Sequence, residues 1–447
     1  MLINWSFFAL NSWLVIIGLA CFIWLSWRQT RHGINLIVLL LPSYLIRINI
    51  GGLPVTFLEL MIVSLFLLWL IKDKRYQRIN HHGKINLEQA LSPQYRYPLI
   101  IILLAATISA IISPNQISAW GIWKAYFVEA FMFLLITVYT IKRSGEIWQI
   151  IDLLGITTII LAIVGIWQKI TGFGIANPFW ADEATRRITT IFSYPNASAL
   201  LLAPVVAIYA AYLFKSDIKL KQLYKLVVLL LGLVTIYWSQ SAGAIVAVIA
   251  SIIIVLLTMP KFIKPSIIIL VFSALCGIYF LSNNLTVQTV WQRIQTNQLP
   301  LNATSLEIRV TQWRETWQLL KQQPILGSGL ANYQQALKPY HQHQWLEIYL
   351  YPHNILLNFW TELGLLGVIG FGWLIYSALR DCIKNILCQR RTILSRALLA
   401  GFSALLIHGL VDVPYFKNDL SVLFLLLVAL ISIVSRPITA STHATGN

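Results

Sequence analysis

The feature that most constrains this chain is a series of long apolar runs separated by short polar connections. A helix needs roughly 20 apolar residues to cross the hydrocarbon core of a bilayer, so runs of this length predict transmembrane helices. We expect about 12 or 13 spans, because two short runs flank Gly51-Gly52 and could together form a re-entrant hairpin. The runs cover residues 5–26, 34–49, 53–71, 98–113, 118–141, 149–170, 195–214, 225–239, 242–258, 265–282, 353–379, 397–414 and 419–435.

The composition agrees with a chain that faces lipid rather than water. Only 11% of the 447 residues are charged and 58% are hydrophobic, whereas a soluble domain carries about 25% charged residues. We therefore predict an all-α membrane protein in which residues 1–447 form a single polytopic domain. Residues 1–10 lack a basic start, so we expect no cleavable signal peptide.

The basic residues between the runs predict how the chain is oriented. Roughly two thirds of the 33 Lys and Arg residues fall in alternate connections, which the positive-inside rule assigns to the cytoplasm. This predicts a cytoplasmic C-terminus, with the N-terminus outside if the number of spans is odd and inside if it is even. The same pattern accounts for the net charge of +17, so we expect membrane lipids rather than nucleic acid as partners.

The connection at 282–352 is the largest loop on the predicted outer, periplasmic side, and it is rich in Gln, Trp and Tyr. Aromatic side chains at this density suit a loop that lies along the lipid headgroups. Within it, apolar residues of 306–322 recur at near-helical spacing, which predicts an amphipathic helix at the interface. Pro324 and Gly327 are expected to end that helix.

A histidine marks the outer start of the run at 353–379. Asn354, Asn358 and Glu362 follow His353 at the spacing of helical turns, which predicts one polar stripe on an apolar helix. A carboxylate inside a span is costly in lipid and should face protein or a wet cavity. Two interpretations remain open. Either the stripe joins helices and His353 is an interfacial residue, or His353 acts as a general base for a hydroxyl.

The large loop carries two further histidines, His341 and His343. No predicted helix orients their rings, whereas His353 stands at the start of a helix. We therefore expect them to be weaker candidates for a general base than His353.

Four arginines of the outer connections run against the general charge bias. Arg186 and Arg187 precede the run at 195–214, and Arg309 and Arg314 lie on the predicted amphipathic helix. A guanidinium presents a planar fork that matches phosphate oxygens bidentately. Any one of them could simply contact lipid headgroups, but their position on the same side as the histidine favours a site for an anion.

Charged residues inside the apolar runs leave a proton or ion path open as an alternative. Lys124 and Glu129 are five positions apart, which is poor spacing for a pair on one α-helix. His408 and Asp412 are four positions apart and could pair. Structural pairing is the simpler interpretation of both. The sequence contains no Walker loop, dinucleotide fingerprint, metal-ligand cluster or nucleophile elbow, so we expect neither a metal nor a cofactor.

Three segments resemble the bacterial O-antigen ligase/polymerase family of membrane glycan transferases. The first runs from Arg187 to Asn196, at the start of a span. The second runs from Arg309-Val310-Thr311-Gln312-Trp313 to Pro324-Ile325-Leu326-Gly327-Ser328-Gly329. The third, and the most specific, is His353-Asn354-x-x-Leu357 with Glu362-x-Gly364-x-x-Gly367. The order of the segments, with a long outer loop before the His-Asn helix, is also similar to that of the family.

One segment departs from the family pattern. Many relatives carry Ser-Arg-Gly where this chain reads Ser239-Gln240-Ser241-Ala242-Gly243. If that arginine holds phosphate in the relatives, this chain must supply the charge from elsewhere or act on a different substrate.

The resemblance implies a glycosyltransferase of polysaccharide or lipopolysaccharide biosynthesis, at the periplasmic face of the bacterial inner membrane. It further implies an inverting, metal-independent reaction. The donor would be a glycan on undecaprenyl diphosphate, and the acceptor a hydroxyl of lipid A core, of a growing glycan or of a protein side chain. Ligase and polymerase activities both remain compatible with it.

The resemblance also implies roles for the candidate residues. His353 would be the catalytic base, and Arg187 and Arg309 would bind the donor diphosphate. Arg186 and Arg314 would be the substitutes for these two arginines. Asn354, Asn358 and Glu362 would be supporting residues. A membrane transporter of a small anion such as bicarbonate is the alternative, but the candidate residues gather at one outer face rather than along a path through the midplane.

Overall fold

The computed structural model describes residues 12–50, 53–80, 91–272, 285–296, 299–300 and 302–436. Within these residues the regular elements are helices and one two-stranded hairpin, so the predicted all-α membrane class is confirmed. The helices are α1 (Ser12–Arg28), α2 (Thr30–Leu39), α3 (Phe57–Asn80), α4 (Pro93–Ile112), α5 (Gln116–Thr140), α6 (Ser144–Thr171), α7 (Pro178–Ala181), α8 (Pro195–Tyr212), α9 (Lys219–Trp238), α10 (Ala242–Leu257), α11 (Pro260–Phe272), α12 (Leu285–Thr296), α13 (Ser305–Gln322), α14 (Tyr333–Leu337), α15 (Ile355–Leu387), α16 (Thr392–His408) and α17 (Asn418–Val434).

Six of the described helices are long and apolar enough to cross a membrane, namely α4, α5, α6, α8, α9 and α15. The pair α10 and α11 is bent by 114° and adds a seventh if it is counted as one span. Helices α1, α16 and α17 are apolar but shorter. Parts of the predicted runs at 5–26 and 265–282 lie outside the described residues, so the total of about 12 or 13 spans stays a prediction.

The first predicted run after α1, at 34–49, is not one continuous helix. Helix α2 ends at Leu39 and is about 15 Å long. A helix of this length is too short to cross a bilayer alone. A 3-10 turn over Leu41–Leu45 leads into strand β1 (Arg47–Ile50), which pairs antiparallel with β2 (Leu53–Thr56). A proline in the 3-10 turn and β-branched residues after it explain the change from helix to strand.

Two helices form the centre of the fold. Every side chain of α17 is buried, and 89% of the apolar window of α8 is buried. Outer helices such as α9 bury only 28% of that window, and their exposed leucines and isoleucines suit contact with lipid tails. Close helix packing relies on small residues, since a Cβ on Gly401 of α16 would lie 2.6 Å from Ile208 of α8.

A π-helical stretch inside α5, Trp123–Val128, corrects one expectation. Lys124 Nζ lies 3.7 Å from Glu129 Oε1, although the two residues are five positions apart. In a π-helix the backbone hydrogen bond spans five residues, so side chains at that spacing come to the same face. Lys124 also bonds Glu59 Oε2 at 2.9 Å, and Glu59 Oε1 accepts a hydrogen bond from Asn418 at 2.9 Å. The expectation that Lys124 and Glu129 are poorly placed to pair was wrong, and Lys124 pairs with both buried carboxyls.

The amphipathic helix predicted at 306–322 is confirmed as α13. Thr304 and Glu307 form a capping box at its start, in which each residue's side chain accepts from the other's backbone N–H. The helix ends at Gln322, immediately before Pro324, as expected. Its placement along the lipid headgroups stays a prediction.

Helix α15 is broken at Gly364, and the segment after α13 packs into the break. Gly364 has a φ of +69°, and Leu365 donates its backbone N–H to the Ile325 carbonyl at 2.8 Å. The backbone N–H of Ser328 donates to the Thr361 carbonyl at 2.6 Å. Backbone groups freed by the break are therefore satisfied by the loop. Gly364 thus admits a loop, whereas Gly370 allows α4 to approach closely.

We predict that Gly364→Ala destabilises the protein, because the added Cβ would overlap the Ile325 carbonyl and lie 2.9 Å from Leu326 Cα at a positive φ. The loss should be at least about 1 kcal/mol, seen as a lower thermal midpoint of the detergent-solubilised protein. Gly372→Ala is the matched control, since a Cβ there meets nothing within 4 Å and lies in the same helix. Equal midpoints for the two variants would contradict the docking of the loop into the break.

Candidate active site

His353 lies between the end of the large loop and the start of α15. Asn354 is the N-cap of α15, and its Oδ1 accepts hydrogen bonds from the backbone N–H groups of Leu356 and Leu357, both at 3.0 Å. Its Nδ2 donates to the Leu410 carbonyl at 2.9 Å, which ties the start of α15 to the end of α16. His353 itself has a φ of +48°, a left-handed conformation that is uncommon outside glycine and clusters at functional sites.

A buried carboxylate, Asp412, is the partner of the His353 ring. Its Oδ1 lies 3.3 Å from His353 Nδ1. Asp412 lies in the turn between α16 and α17, because α16 ends at His408. The two residues are therefore not on one helix, and the possible helical pairing of His408 with Asp412 was wrong. Burial opposes ionisation of Asp412, but the hydrogen bond and charge of His353, with the charges of His408 and Arg309, hold the pKa of the Asp412 carboxyl well below its usual range.

Arg187 is joined to the same carboxylate through one amide side chain. Its Nε and Nη2 donate to the Ser239 carbonyl at 3.1 and 3.0 Å, and Nη2 also lies 3.4 Å from Asn196 Oδ1. The Nδ2 of Asn196 donates to Asp412 Oδ2 at 3.2 Å. Among the described residues, Arg187 Nη1 has no hydrogen-bond partner. One edge of the guanidinium fork therefore remains available.

The segment that carries Arg187 is held against the ends of two helices. Gln168 of α6 accepts from the backbone N–H groups of Thr189 and Thr190 at 3.0 and 2.7 Å through its Oε1. The backbone N–H of Ile188 donates to the carbonyl of Trp238, the last residue of α9, at 3.2 Å. These hydrogen bonds fix the position of the backbone next to Arg187.

Arg309 reaches the carboxylate from α13. Its Nη2 lies 3.8 Å from Asp412 Oδ2. One turn further along α13, Trp313 donates its indole N–H to the Pro352 carbonyl at 2.7 Å, directly before His353. The large loop is therefore fastened to the start of α15, and Arg309 is held beside the histidine.

The two arginines lie close enough to repel each other. Burial lowers the pKa of the Arg187 guanidinium, and the positive charge of Arg309 lowers it further. One carboxylate, Asp412, faces both guanidiniums, so the cluster keeps an excess positive charge even when His353 is neutral. An anion is the ligand that would offset this charge.

Residues 227–372, about a third of the chain, match the family model described as O-Antigen ligase. The predicted resemblance to the O-antigen ligase/polymerase family is confirmed. The family match indicates a glycosyltransferase-type membrane enzyme. The O-antigen ligase domain contains Ser239, Arg309 and His353, whereas Arg187 and Asp412 lie on either side of it. No curated protein matches the chain.

The two substitute arginines lie differently from Arg187 and Arg309. Arg186 donates to the carbonyl oxygens of Lys169, Ile170 and Ala181 at 2.9, 3.1 and 3.1 Å, so its guanidinium closes the C-terminal end of α6. Arg314 follows Arg309 by five positions on α13, which turns it about 140° around the helix axis. The structure thus groups Arg187 and Arg309, and not their substitutes, with His353.

The segment that lacks the family's arginine borders this cluster. Arg187 rests on the Ser239 carbonyl, as described above, and a Cβ on Gly243 would lie 2.7 Å from Val411 Cγ2 and 3.1 Å from His408. Gln240 itself is exposed. Arg187 therefore brings positive charge to the place where relatives carry an arginine of their own.

The predicted polar stripe on α15 is wrong at its first member, because Asn354 precedes the helix as its cap. Asn358 and Glu362 are both buried inside α15. Glu362 Oε2 accepts the backbone N–H of Ala331 at 2.8 Å, which fastens the loop after α13. The Asn358 amide has no hydrogen-bond partner within the described part of the chain. The contact of Glu362 with Ala331 indicates support of the loop rather than chemistry.

His341 is held more firmly than its loop position predicts. Its Nδ1 lies 3.1 Å from Glu315 Oε2, and its Nε2 lies 2.9 Å from the Leu346 carbonyl. Burial would lower the pKa of His341, but the hydrogen bonds to Glu315 and Leu346 raise it above its ordinary value. Both ring nitrogens are occupied, so His341 is a structural residue and not a base.

Two residues of the cluster were not found by sequence reasoning in their present role. Asp412 was considered only as a partner of His408, and Asn196 only as part of a motif. An acid in a short turn on the predicted outer side, between two spans, is a sequence signal that could have identified Asp412. No residue pattern near Asn196 indicates that its amide joins Arg187 to Asp412. No group of three or more His, Cys, Asp or Glu side chains placed to hold a metal is found among the described residues.

We predict that Asp412→Asn lowers kcat about 100- to 10,000-fold while leaving the KM for the donor nearly unchanged. The amide keeps the shape but loses the charge that orients and stabilises the imidazole. Steady-state glycan transfer by the purified protein measures both constants. Glu183→Gln, at an exposed acid of the connection before Arg187, is the control and should retain full activity. A wild-type kcat for Asp412→Asn would remove Asp412 from the site.

Proposed function

We propose that this O-antigen ligase family protein transfers a glycan from an undecaprenyl-diphosphate-linked donor to a hydroxyl acceptor. The observation that carries the proposal is the connection of Arg187, Asn196, Asp412, His353 and Arg309, from four separate parts of the chain, into one cluster. The cluster combines two groups that suit an anionic leaving group with one that suits a hydroxyl proton. The acceptor classes consistent with it are lipid A core, a growing glycan and a protein side chain.

The donor diphosphate binds between the two arginines. Arg187 offers the free edge of its fork. Arg309 lies 3.8 Å from Asp412 Oδ2 and makes no closer hydrogen bond with the described residues, so both guanidiniums can direct positive charge towards a ligand. As the glycosidic bond breaks, negative charge develops on the diphosphate. Guanidiniums already in place stabilise that charge without rearranging, and this is how the reaction proceeds without a metal ion.

His353 accepts the proton of the attacking hydroxyl. The Asp412 carboxylate holds the Nδ1–H tautomer of the ring, which leaves Nε2 as the base. The acceptor oxygen forms a bond to the anomeric carbon as its proton passes to Nε2. The bond from that carbon to the diphosphate oxygen breaks, and its electron pair leaves with the diphosphate. Attack from the face opposite the leaving group inverts the anomeric centre.

The reaction takes place at the outer face of the bacterial inner membrane. The cluster lies at the start of α8, α10 and α15 and at the end of α9 and α16. The opposite ends of these helices meet the basic connections, where Lys215, Lys261 and Arg391 lie. Positive-inside orientation places those connections in the cytoplasm and the cluster in the periplasm. The exposed apolar helix faces then accommodate the lipid tail of the donor.

The alternative of an anion transporter is not supported by the family match. The part-exposed Lys124 is paired with the buried carboxyls of Glu59 and Glu129, at 2.9 and 3.7 Å. Such a mutually paired group favours structural pairing over an ion path.

We predict that Arg187→Ala and Arg309→Ala each weaken the donor interaction by roughly tenfold to a hundredfold, since each loses a charge-assisted contact. Lysine at either position should restore activity only in part, because it lacks the planar fork. Donor KM and kcat, measured with the thermal midpoint, report the effect.

Arg186→Ala is the matched control for Arg187→Ala. It should lower the thermal midpoint, because it uncaps α6, and leave the donor KM unchanged. The reverse pattern would be an unchanged donor KM in Arg187→Ala and a raised donor KM in Arg186→Ala. It would show that the diphosphate binds Arg186 and not Arg187.

We predict that His353→Gln loses about 100- to 10,000-fold in turnover while still binding the donor, because general-base catalysis contributes that much. Single-turnover transfer and equilibrium binding of the donor separate the two effects. His341→Gln should transfer glycan at close to the wild-type rate when folded. If His353→Gln is fully active and His341→Gln is not, His353 is not the base.

A further inference from the structure

A second surface of the protein has the chemistry of a binding site and is not used by the proposed reaction. An open groove of about 1140 Å³ lies between the connection from α4 to α5 and the end of α13. Its wall carries the amides of Asn115, Gln323, Asn332 and Gln335 and the ring of Tyr340. A neighbouring hollow of about 850 Å³ continues it along the segment after α13.

Among the described residues, the lining of the groove carries no charged side chain, although the chain has a net charge of +17. A phosphate or an anionic headgroup would be matched by arginine or lysine, as it is in the cluster around Arg187. An uncharged wall of amides and an aromatic ring instead suits a neutral ligand with many hydroxyls. Each hydroxyl donates and accepts, and each amide offers both donors and an acceptor.

The amides of the groove have hydrogen-bonding capacity to spare. The side chains of Gln323 and Gln335 are exposed and make no hydrogen bond within the described part of the chain. Asn332 uses only its Nδ2, which donates to the Ser328 carbonyl at 2.7 Å. Tyr340 is fixed, since it packs against a buried cluster that includes Leu319. The wall therefore combines a packed aromatic ring with amides that have unused hydrogen-bonding groups.

The groove lies at the same end of the helices as the reactive cluster and is joined to it by α13. Arg309 and Gln323 are separated along α13 by about 21 Å. Helix α13 is fastened at its middle, where Trp313 bonds Pro352, and after Gln322, where the loop packs into the break in α15. A ligand that occupied both places at once would have to be an extended chain.

We propose that this groove binds the glycan chain of a substrate several sugars away from the bond that is made. The inference rests on the proposed glycan transfer and adds a subsite that recognises neutral sugars and favours long chains. The chain in the groove belongs either to the donor or to a glycan acceptor, and both present the same hydroxyl-rich surface.

The test compares the double variant Gln323→Ala/Gln335→Ala with the control Gln318→Ala, an exposed glutamine on α13 outside the groove. One arm varies the donor from one repeat unit to several, with a short acceptor. The other arm varies the acceptor with a one-unit donor. We expect the double variant to lose roughly tenfold in kcat/KM for the long chain in one arm, and nothing for the short substrates. The arm that shows the loss identifies the source of the chain.

Direct binding of a neutral oligosaccharide to the purified protein, followed by saturation-transfer NMR, tests the groove apart from catalysis. Binding by the wild type and the control but not by the double variant supports the subsite even if the wild type transfers nothing. Equal binding by all three, an equal loss for short and long substrates, or no loss at any length would overturn it. Binding of phospholipid headgroups in place of the oligosaccharide would overturn it as well.

Discussion

The carboxylate of Asp412 is the contact on which the arrangement of the candidate site depends. It faces His353, Arg309 and, through the amide of Asn196, Arg187. Without it, two half-buried guanidiniums would repel each other beside an imidazole with nothing to orient it. Because a buried charge without a partner costs several kcal/mol, the acid and the arginines hold one another at the start of α15. The same excess of positive charge makes the cluster receptive to an anion.

The position of that carboxylate relative to the large loop depends on the break in α15. The break at Gly364 frees backbone groups, and the loop after α13 supplies their partners through Ile325 and Ser328. Trp313 fastens the other part of α13 to the residue before the histidine. Arg309, one turn before Trp313, and the groove beyond Gln322 are therefore both attached to the start and the break of α15.

Local signals in the sequence predicted the parts of this arrangement that depend on neighbouring residues. The apolar runs predicted the membrane class, the spacing of apolar residues predicted α13, and the Pro-His-Asn start of a span predicted where His353 stands. Contacts between distant segments left no such signal. The bond from His353 to Asp412 depends on α16 ending at His408, and the Lys124–Glu129 pair depends on a π-helical register that residue spacing does not show. The positive φ of Gly364, which breaks α15, likewise leaves no signal in the sequence.

The most direct test of the account is transfer by the purified protein from a defined undecaprenyl-diphosphate-linked glycan to a hydroxyl acceptor, in the presence of a metal chelator. The account predicts one new glycosidic bond for each undecaprenyl diphosphate released, with the anomeric configuration inverted when the product is examined by NMR. Retained configuration, loss of transfer on chelation, or release of the diphosphate to water without an acceptor product would contradict it.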